Sequence, residues 1–205
     1  MSSFFEYVGQ CMPQLPLGLK LTLQMTVFSL ILAVVVGMVM CLFSISKVKP
    51  LNWISGIYLS LIRGTPLMVQ AFFIYFGITG ALHIRITSFS AAILVLCLNA
   101  GAYLSEIFRS GIAAVNKGQM EACLACGMTR WQGFCRIVLP QAMRVAVPGL
   151  SNNFVDIIKQ SSLAFTLGVT EIMAVAKMEG ATNLKSLESF EAVMIVYRLI
   201  GPFFN

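Results

Sequence analysis

A chain of 205 residues that is 58% hydrophobic and 11% charged, with a mean hydropathy of +0.86, cannot cover a water-soluble particle, whose share of charged residues is about 25%; lipid must face much of its surface. The net charge of +6 comes from Lys and Arg scattered between apolar runs, with no block or nucleic-acid motif, so it speaks against nucleic acid as a partner and for the positive-inside bias of membrane proteins. Cys11, Cys41, Cys97, Cys123, Cys126 and Cys135 form no disulfide framework, and the lone CxxC at Cys123–Cys126, with the single His83 about forty residues away, gives no metal site.

In chain order, Met1 to Lys20 lacks the basic n-region and small-residue cleavage site of a signal peptide, so the first apolar stretch is expected to stay as a membrane helix. A spanning helix needs about 20 largely apolar residues. Runs over 19–43, 53–78 and 87–108 qualify, and none alternates strictly, which speaks against a membrane β-barrel. Between Arg109 and Arg144 the hydropathy falls; Arg109, Lys117, Arg130, Arg136 and Arg144 stand against the single acid Glu121. Within this polar loop, 109–144, Glu121–Cys126 and Trp131–Leu139 are predicted as two short helices separated by Gly127.

A fourth span is predicted over 145–167 despite Asn152, Asn153, Asp156, Lys159 and Gln160, then a short helix around Glu171–Met178, then a fifth span over 187–205. From Phe190 the last helix would reach only about 24 Å, short of the roughly 30 Å hydrocarbon core; a start near Leu184 would supply the length. Lys47, Lys49, Arg109, Lys117, Arg130, Arg136 and Arg144 gather on one side, and Lys20, Arg85, Lys177 and Lys185 on the other. That bias places the large polar loop inside, the N-terminus outside and the C-terminus inside. The expectation is one all-α integral membrane domain, 1–205, of about five transmembrane helices.

The polar loop carries a specific pattern: Glu121-Ala122-Cys123, Gly127, then Ile137-Val138-Leu139-Pro140. Gly127 permits a tight reversal between short helices, and Pro140, lacking an N–H, suits the first turn of the next span. This pattern resembles the EAA loop of ABC importer permeases, with Cys123 where the family usually has Ala. Its flanks, Lys117-Gly118-Gln119 before and Gln141-Ala142 after, match too, and Arg63-Gly64-Thr65-Pro66, the segment Ala102 to Arg109 and the segment Asn153 to Leu163 resemble the polar amino acid branch of that family. The resemblance spans about Leu17 to Met178.

It implies a type I ABC importer permease fold with a cytoplasmic coupling-helix loop, and a permease subunit that moves a polar amino acid across the bacterial inner membrane by alternating access. Implied partners are two ABC ATPase subunits, a second permease subunit (identical or homologous), a periplasmic or surface amino-acid-binding protein, and the lipid bilayer. Coupling to the ATPase falls to Glu121, Ala122, Gly127, Ile137, Leu139 and Pro140. Glu121 has free backbone groups or a basic residue of the partner to bond. No GxxxxGK[ST] pattern occurs, so this chain is expected to hold no cofactor and not to be an enzyme; ATP and Mg belong to the partner ATPase.

Candidate pathway residues come from the cost of polar groups inside a bilayer. Asn152, Asp156, Lys159 and Gln160 fall at i, i+4, i+7 and i+8, one helix face. Asp156 and Lys159 complement the ammonium and carboxylate of an amino acid; alternatively, at i and i+3, they neutralise each other. Arg63, beside the Gly64-Thr65-Pro66 interruption of the second span, either holds a substrate carboxylate or snorkels to headgroups, the second being favoured. Gln70 is a further pathway candidate. Glu106 and Arg109 are predicted to pair, Asn99 to bond between helices, and His83 to have no role. The alternative to this whole reading, an ATPase-independent secondary transporter or channel for small polar solutes, would show paired broken helices in two related halves. Only one such break is visible.

Overall fold

Long apolar runs without breakers give long helices, and the computed structural model, which describes residues 14–203, contains helices and no strand among those residues. Expectations about residues 1–13, Cys11 included, and about 204–205 lie outside them. In order the helices are α1 Leu15–Ile45, α2 Lys49–Arg63, α3 Leu67–Leu82, α4 Ser88–Ala114, α5 Lys117–Ala125, α6 Arg130–Leu167, α7 Ile172–Thr182 and α8 Ser186–Phe203. Helix α3 contains a π-helical stretch at Phe73–Ile78. Helix α6 is π-helical at Phe134–Val138 and tightens to a 3-10 helix at Ser161–Leu167.

Against the expected five spans, two helices among the described residues, α1 and α4, are each long and apolar enough to cross a membrane. The number rises to four if α2 with α3, and α6 with α7, each count as one interrupted span. Helix α8, carrying Glu188, Glu191 and Arg198, is not among them. It starts at Ser186 because α7 closes at Asn183 and Leu184 takes a left-handed φ of 54°, with Lys185 N–H bonded back to the Gly180 carbonyl at 3.1 Å. From there 18 residues extend about 27 Å.

The side chains of α1 are sorted opposite to those of a helix in water. Apart from the fully buried Met25, its buried positions hold small and hydroxylated residues, Thr22, Thr26, Ser29, Ala33 and Cys41, whereas Phe28, Ile31, Val35, Met38 and Leu42 are exposed. Small residues bring helix backbones together inside a bilayer, and large aliphatic ones cost nothing against lipid. The buried hydroxyls are satisfied: Thr26 Oγ1 donates to the Thr22 carbonyl at 2.8 Å, and Ser29 Oγ to the Ile93 carbonyl at 3.3 Å.

The helices group into two compact units: one holds residues up to Ile31, Thr65–Cys97 and Phe154 onward, the other Leu32–Gly64 and Leu98–Asn153. In the first, Ile172, Ala176 and Val193 form a core joined by Leu15, Leu19, Met173, Val196 and Tyr197. Gly18 lets α1 close on α7, since a Cβ there would lie 2.9 Å from Ile172 Cα. In the second, α1 and α4 meet through glycine: a Cβ on Gly37 would lie 2.8 Å from Leu104 Cβ, and one on Gly101 would lie 2.9 Å from Val36 Cγ1. Gly111 does the same for α4 and α6, at 2.8 Å from the Ala142 carbonyl oxygen.

Glu171 is fully buried at the start of α7. Its carboxylate accepts the N–H groups of Met173 at 2.8 Å and Ala174 at 2.9 Å, two of the four donors a helix start leaves free. Beside it, Ile172 N–H donates to Thr22 Oγ1 at 3.3 Å. Glu171→Ala strands one buried and one partly buried donor, at a cost of about 2 kcal/mol or more. The thermal midpoint of the detergent-solubilised protein is expected to fall sharply in Glu171→Ala and less in Glu171→Gln, which keeps one acceptor oxygen. Equal midpoints for the two variants would contradict the capping role.

Candidate functional site

The polar segment between α4 and the apolar part of α6 is a rigid reversal. Asn116 starts α5, its Oδ1 accepting Gly118 N–H at 2.8 Å. At the other end Gly127 N–H donates to the Leu124 carbonyl and Met128 N–H to the Cys123 carbonyl, both at 3.0 Å. These two bonds make a Schellman closure, whose C′ residue must be left-handed; Gly127 sits there at φ +79°. No atom lies within 4 Å of where its Cβ would be, so the backbone angle alone demands glycine.

Two residues later α6 begins with a reciprocal cap. Gln132 N–H donates to Thr129 Oγ1 at 3.2 Å, and Thr129 N–H to Gln132 Oε1 at 2.9 Å. Helix α5 then packs back on this start. A Cβ at Gly133 would come 3.0 Å from Cys123 Cβ and 3.1 Å from Met120 Sδ. The buried Cys123 therefore points inward onto Gly133, whose missing side chain makes room for it. The outward face presents Glu121, Ala122, Leu124, Ala125 and Trp131, all exposed, with Trp131 stacked on Phe134 at 6.2 Å between ring centroids.

Trp131–Leu139 is not a separate short helix ahead of a span beginning at 145. Helix α6 runs on from Arg130 through Leu167. The reason is the π-helical stretch: Leu139 N–H donates to the Phe134 carbonyl, five residues back, which widens the turn just before Pro140, where an N–H is missing. Gln141 Nε2 donates to the Ile137 carbonyl at 3.0 Å. Of the motif residues on this stretch, Ile137 is half-buried, and Leu139 and Pro140 are exposed.

Arg63 is exposed in the last turn of α2, where a cation suits the helix C-terminus, and its guanidinium lies 5.7 Å from the Tyr103 ring centroid. Gln70 is buried and its amide is turned to the interruption, Nε2 donating to the carbonyl and the Oγ1 of Thr65, each at 3.0 Å. It braces the Thr65-Pro66 turn. Asn152, Asp156, Lys159 and Gln160 lie on unbroken α-helix, Leu139–Gln160, and so keep the predicted spacing. Asn152, Asp156 and Lys159 are exposed and Gln160 is half-buried. No ion pair joins Asp156 to Lys159, so mutual neutralisation does not describe them. Lys159 instead lines an open, mainly apolar cavity of about 430 Å³ with Ser162, Met173, Phe190, Val193, Met194 and Tyr197.

Glu106 and Arg109 do pair, through Arg109 Nη2 to Glu106 Oε2 at 2.8 Å and Nε to Oε1 at 3.1 Å. Both side chains are partly exposed, so the pair contributes no more than about 1 kcal/mol. Glu106→Gln is expected to shift the thermal midpoint by only a few degrees, far less than Glu171→Ala; a larger shift would place the pair in the packed interior. Reading the sequence missed three capping residues, Asn116, Thr129 and Glu171. The T-x-x-Q spacing of Thr129 and Gln132 was the signal for one of them. Among the described residues no group of His, Cys, Asp and Glu is placed to hold a metal ion.

Comparison with known proteins extends this geometry. Residues 29–203 match the family model described as "Binding-protein-dependent transport system inner membrane component". The chain is 42% identical over 195 residues to the Bacillus subtilis (strain 168) protein described as "Probable amino-acid permease protein YxeN", covering 94% of this chain and 87% of that one. It is 40% identical over 195 residues to a Vibrio harveyi protein described as "Probable amino-acid ABC transporter permease protein PatM", with the same coverage, 94% and 87%. Among solved structures, a chain from the crystal structure of an amino acid ABC transporter with histidines superposes with a TM-score of 0.91 at 30% identity, covering 98% of this chain and 93% of that one.

Proposed function

The chain belongs to the family of binding-protein-dependent transport system inner membrane components, and from that premise we propose that it conducts a polar amino acid inward, driven by a separate ATPase pair that grips the 116–140 reversal. A multi-pass permease subunit of an ATP-driven importer is what the family establishes. The amino-acid cargo is proposed from the descriptions of its relatives. ATP and Mg are bound by the ATPase subunits, a substrate-binding protein delivers cargo from outside, and a second permease subunit, identical or homologous, completes the pathway. The N-terminus lies outside and the C-terminus inside.

The observation that carries the coupling role is the stiffness of the reversal. A part that transmits force must not bend, and here Asn116, Gly127 and Thr129 each satisfy backbone groups that a loop would leave to water. Glu121, Ala122, Leu124 and Ala125 are left outward for the ATPase. Inside the bilayer, Asp156 and Lys159, exposed and not bonded to each other, supply opposite charges to a zwitterion. Asn152 and Gln160 supply amides for its orientation. Arg63, over Tyr103 at the end of α2, is the further pathway residue.

The test is ATPase activity of the reconstituted complex, screened against a panel of amino acids together with the binding protein. Stimulation by one or a few polar amino acids is expected. Uptake that persists with no nucleotide-binding companion, or stimulation confined to solutes that are not amino acids, would overturn the proposal.

A further inference from the structure

Between Glu6 and Glu106 the sequence contains no aspartate or glutamate, so the basic residues of α1 and α2 have no acidic neighbour along the chain. Two of them, Lys47 and Lys49, sit on the turn joining these helices. Both are exposed, and neither makes an ion pair. The turn itself is tied down: Asn52 Nδ2 donates to the Ser44 carbonyl at 2.7 Å, and Val48 N–H to Ser46 Oγ at 3.1 Å. The turn thus holds two lysines side by side with no acidic group among the described residues to neutralise them.

Below Lys49, helix α2 presents an apolar stripe. Trp53, Ile57 and Leu61 follow at i+4, i+8 and i+12, with Ile54 at its edge. Trp53 is 73% and Ile57 67% exposed, and only Ser55 and Ile62 of this helix are buried. From Lys49 to Leu61 the stripe is about 18 Å long, close to the roughly 15 Å thickness of one leaflet's hydrocarbon. Cation, indole and branched aliphatics therefore occur in the order in which a bilayer presents headgroup, interface and acyl chain.

We propose that this face of α2 binds an anionic phospholipid, its phosphate at Lys47 and Lys49 and its acyl chain along Trp53, Ile57 and Leu61. A zwitterionic lipid would fit the stripe equally well and lose the charge complementarity, so the headgroup decides the preference. The inference needs only that the chain is embedded in a membrane and is independent of the coupling role of the 116–140 reversal.

The chain has two tryptophans, at 53 and 131, so Trp131→Phe leaves Trp53 as the only indole. That variant is reconstituted into phosphatidylcholine vesicles containing a small fraction of either brominated phosphatidylglycerol or brominated phosphatidylcholine, and Trp53 quenching is measured. Phosphatidylglycerol is expected to quench at about five-fold or more lower mole fraction than phosphatidylcholine. High salt, or Lys47→Gln with Lys49→Gln, should bring the two curves together, whereas Lys20→Gln should leave them apart. Retained helical circular dichroism checks that the lysine variants are folded. Equal quenching by the two lipids, a preference that survives loss of both lysines, or no quenching by either because protein covers the stripe, would each overturn the proposal.

Discussion

Replacing Gly127 by Val is expected to remove most substrate-stimulated ATPase activity of the assembled transporter while leaving the permease inserted in the membrane. At φ +79° a residue with a Cβ is strained by roughly 1–2 kcal/mol, and a β-branched one by more. No neighbouring atom lies within 4 Å of the new Cβ, so the effect is expected to act through the backbone. The strain falls on the bonds from Gly127 and Met128 to Leu124 and Cys123, and relief comes by opening the closure that sets α5 against α6. A penalty of this size changes a two-state population by a factor of about 5–30, and stimulated turnover should fall in that range. Gly127→Asn should keep most activity, because asparagine accepts the left-handed region. If Val and Asn behave alike, the conformation at 127 does not matter for coupling.

The largest effect on folding is expected at Gly37. A Cβ there would lie 2.8 Å from Leu104 Cβ and 3.1 Å from both the Gly101 carbonyl oxygen and the Ser105 nitrogen. Two of these are backbone atoms of α4, and Leu104 and Ser105 are fully buried, so nothing can turn aside. Overpacking costs about 1–3 kcal/mol when side chains can adjust, and here helix must separate from helix. Gly37→Val should therefore sharply reduce the yield of folded protein, with Gly37→Ala between it and the parent. Gly56 provides the control. It lies in α2 with no atom within 4 Å of its would-be Cβ, so Gly56→Ala should be neutral or gain up to about 1 kcal/mol from helix propensity. Size-exclusion profiles and thermal midpoints in detergent distinguish these outcomes. A Gly37→Val protein as stable as its parent would mean that α1 and α4 do not meet at glycine.

What the sequence made legible followed from signals within one helix. The apolar runs over 19–43 and 87–108 became α1 and α4 because nothing in them breaks a helix. Gly127 was readable as a reversal because few other residues fit a left-handed position. The continuity of α6 was not readable. Gly133 and Pro140 both look like interruptions, and only the π-helical turn between them, a tertiary choice, lets the helix pass through. Glu171 was hidden for a similar reason: an acid in a polar stretch looks solvent-exposed, and its burial depends on α1 and α8 closing over it. The polar face of α6 was legible as a spacing, while the separation of Asp156 from Lys159 depended on side-chain placement that periodicity does not encode.

The central claim is that the outward face of the 116–140 reversal meets the ATPase. A photo-crosslinking amino acid at Ala125, exposed on that face, tests it directly in cells making the whole transporter. An adduct between the permease and its nucleotide-binding subunit is expected from position 125, and none from Ile57 on α2. Adducts only with the substrate-binding protein, or none from 125 in a complex that still transports, would contradict the account.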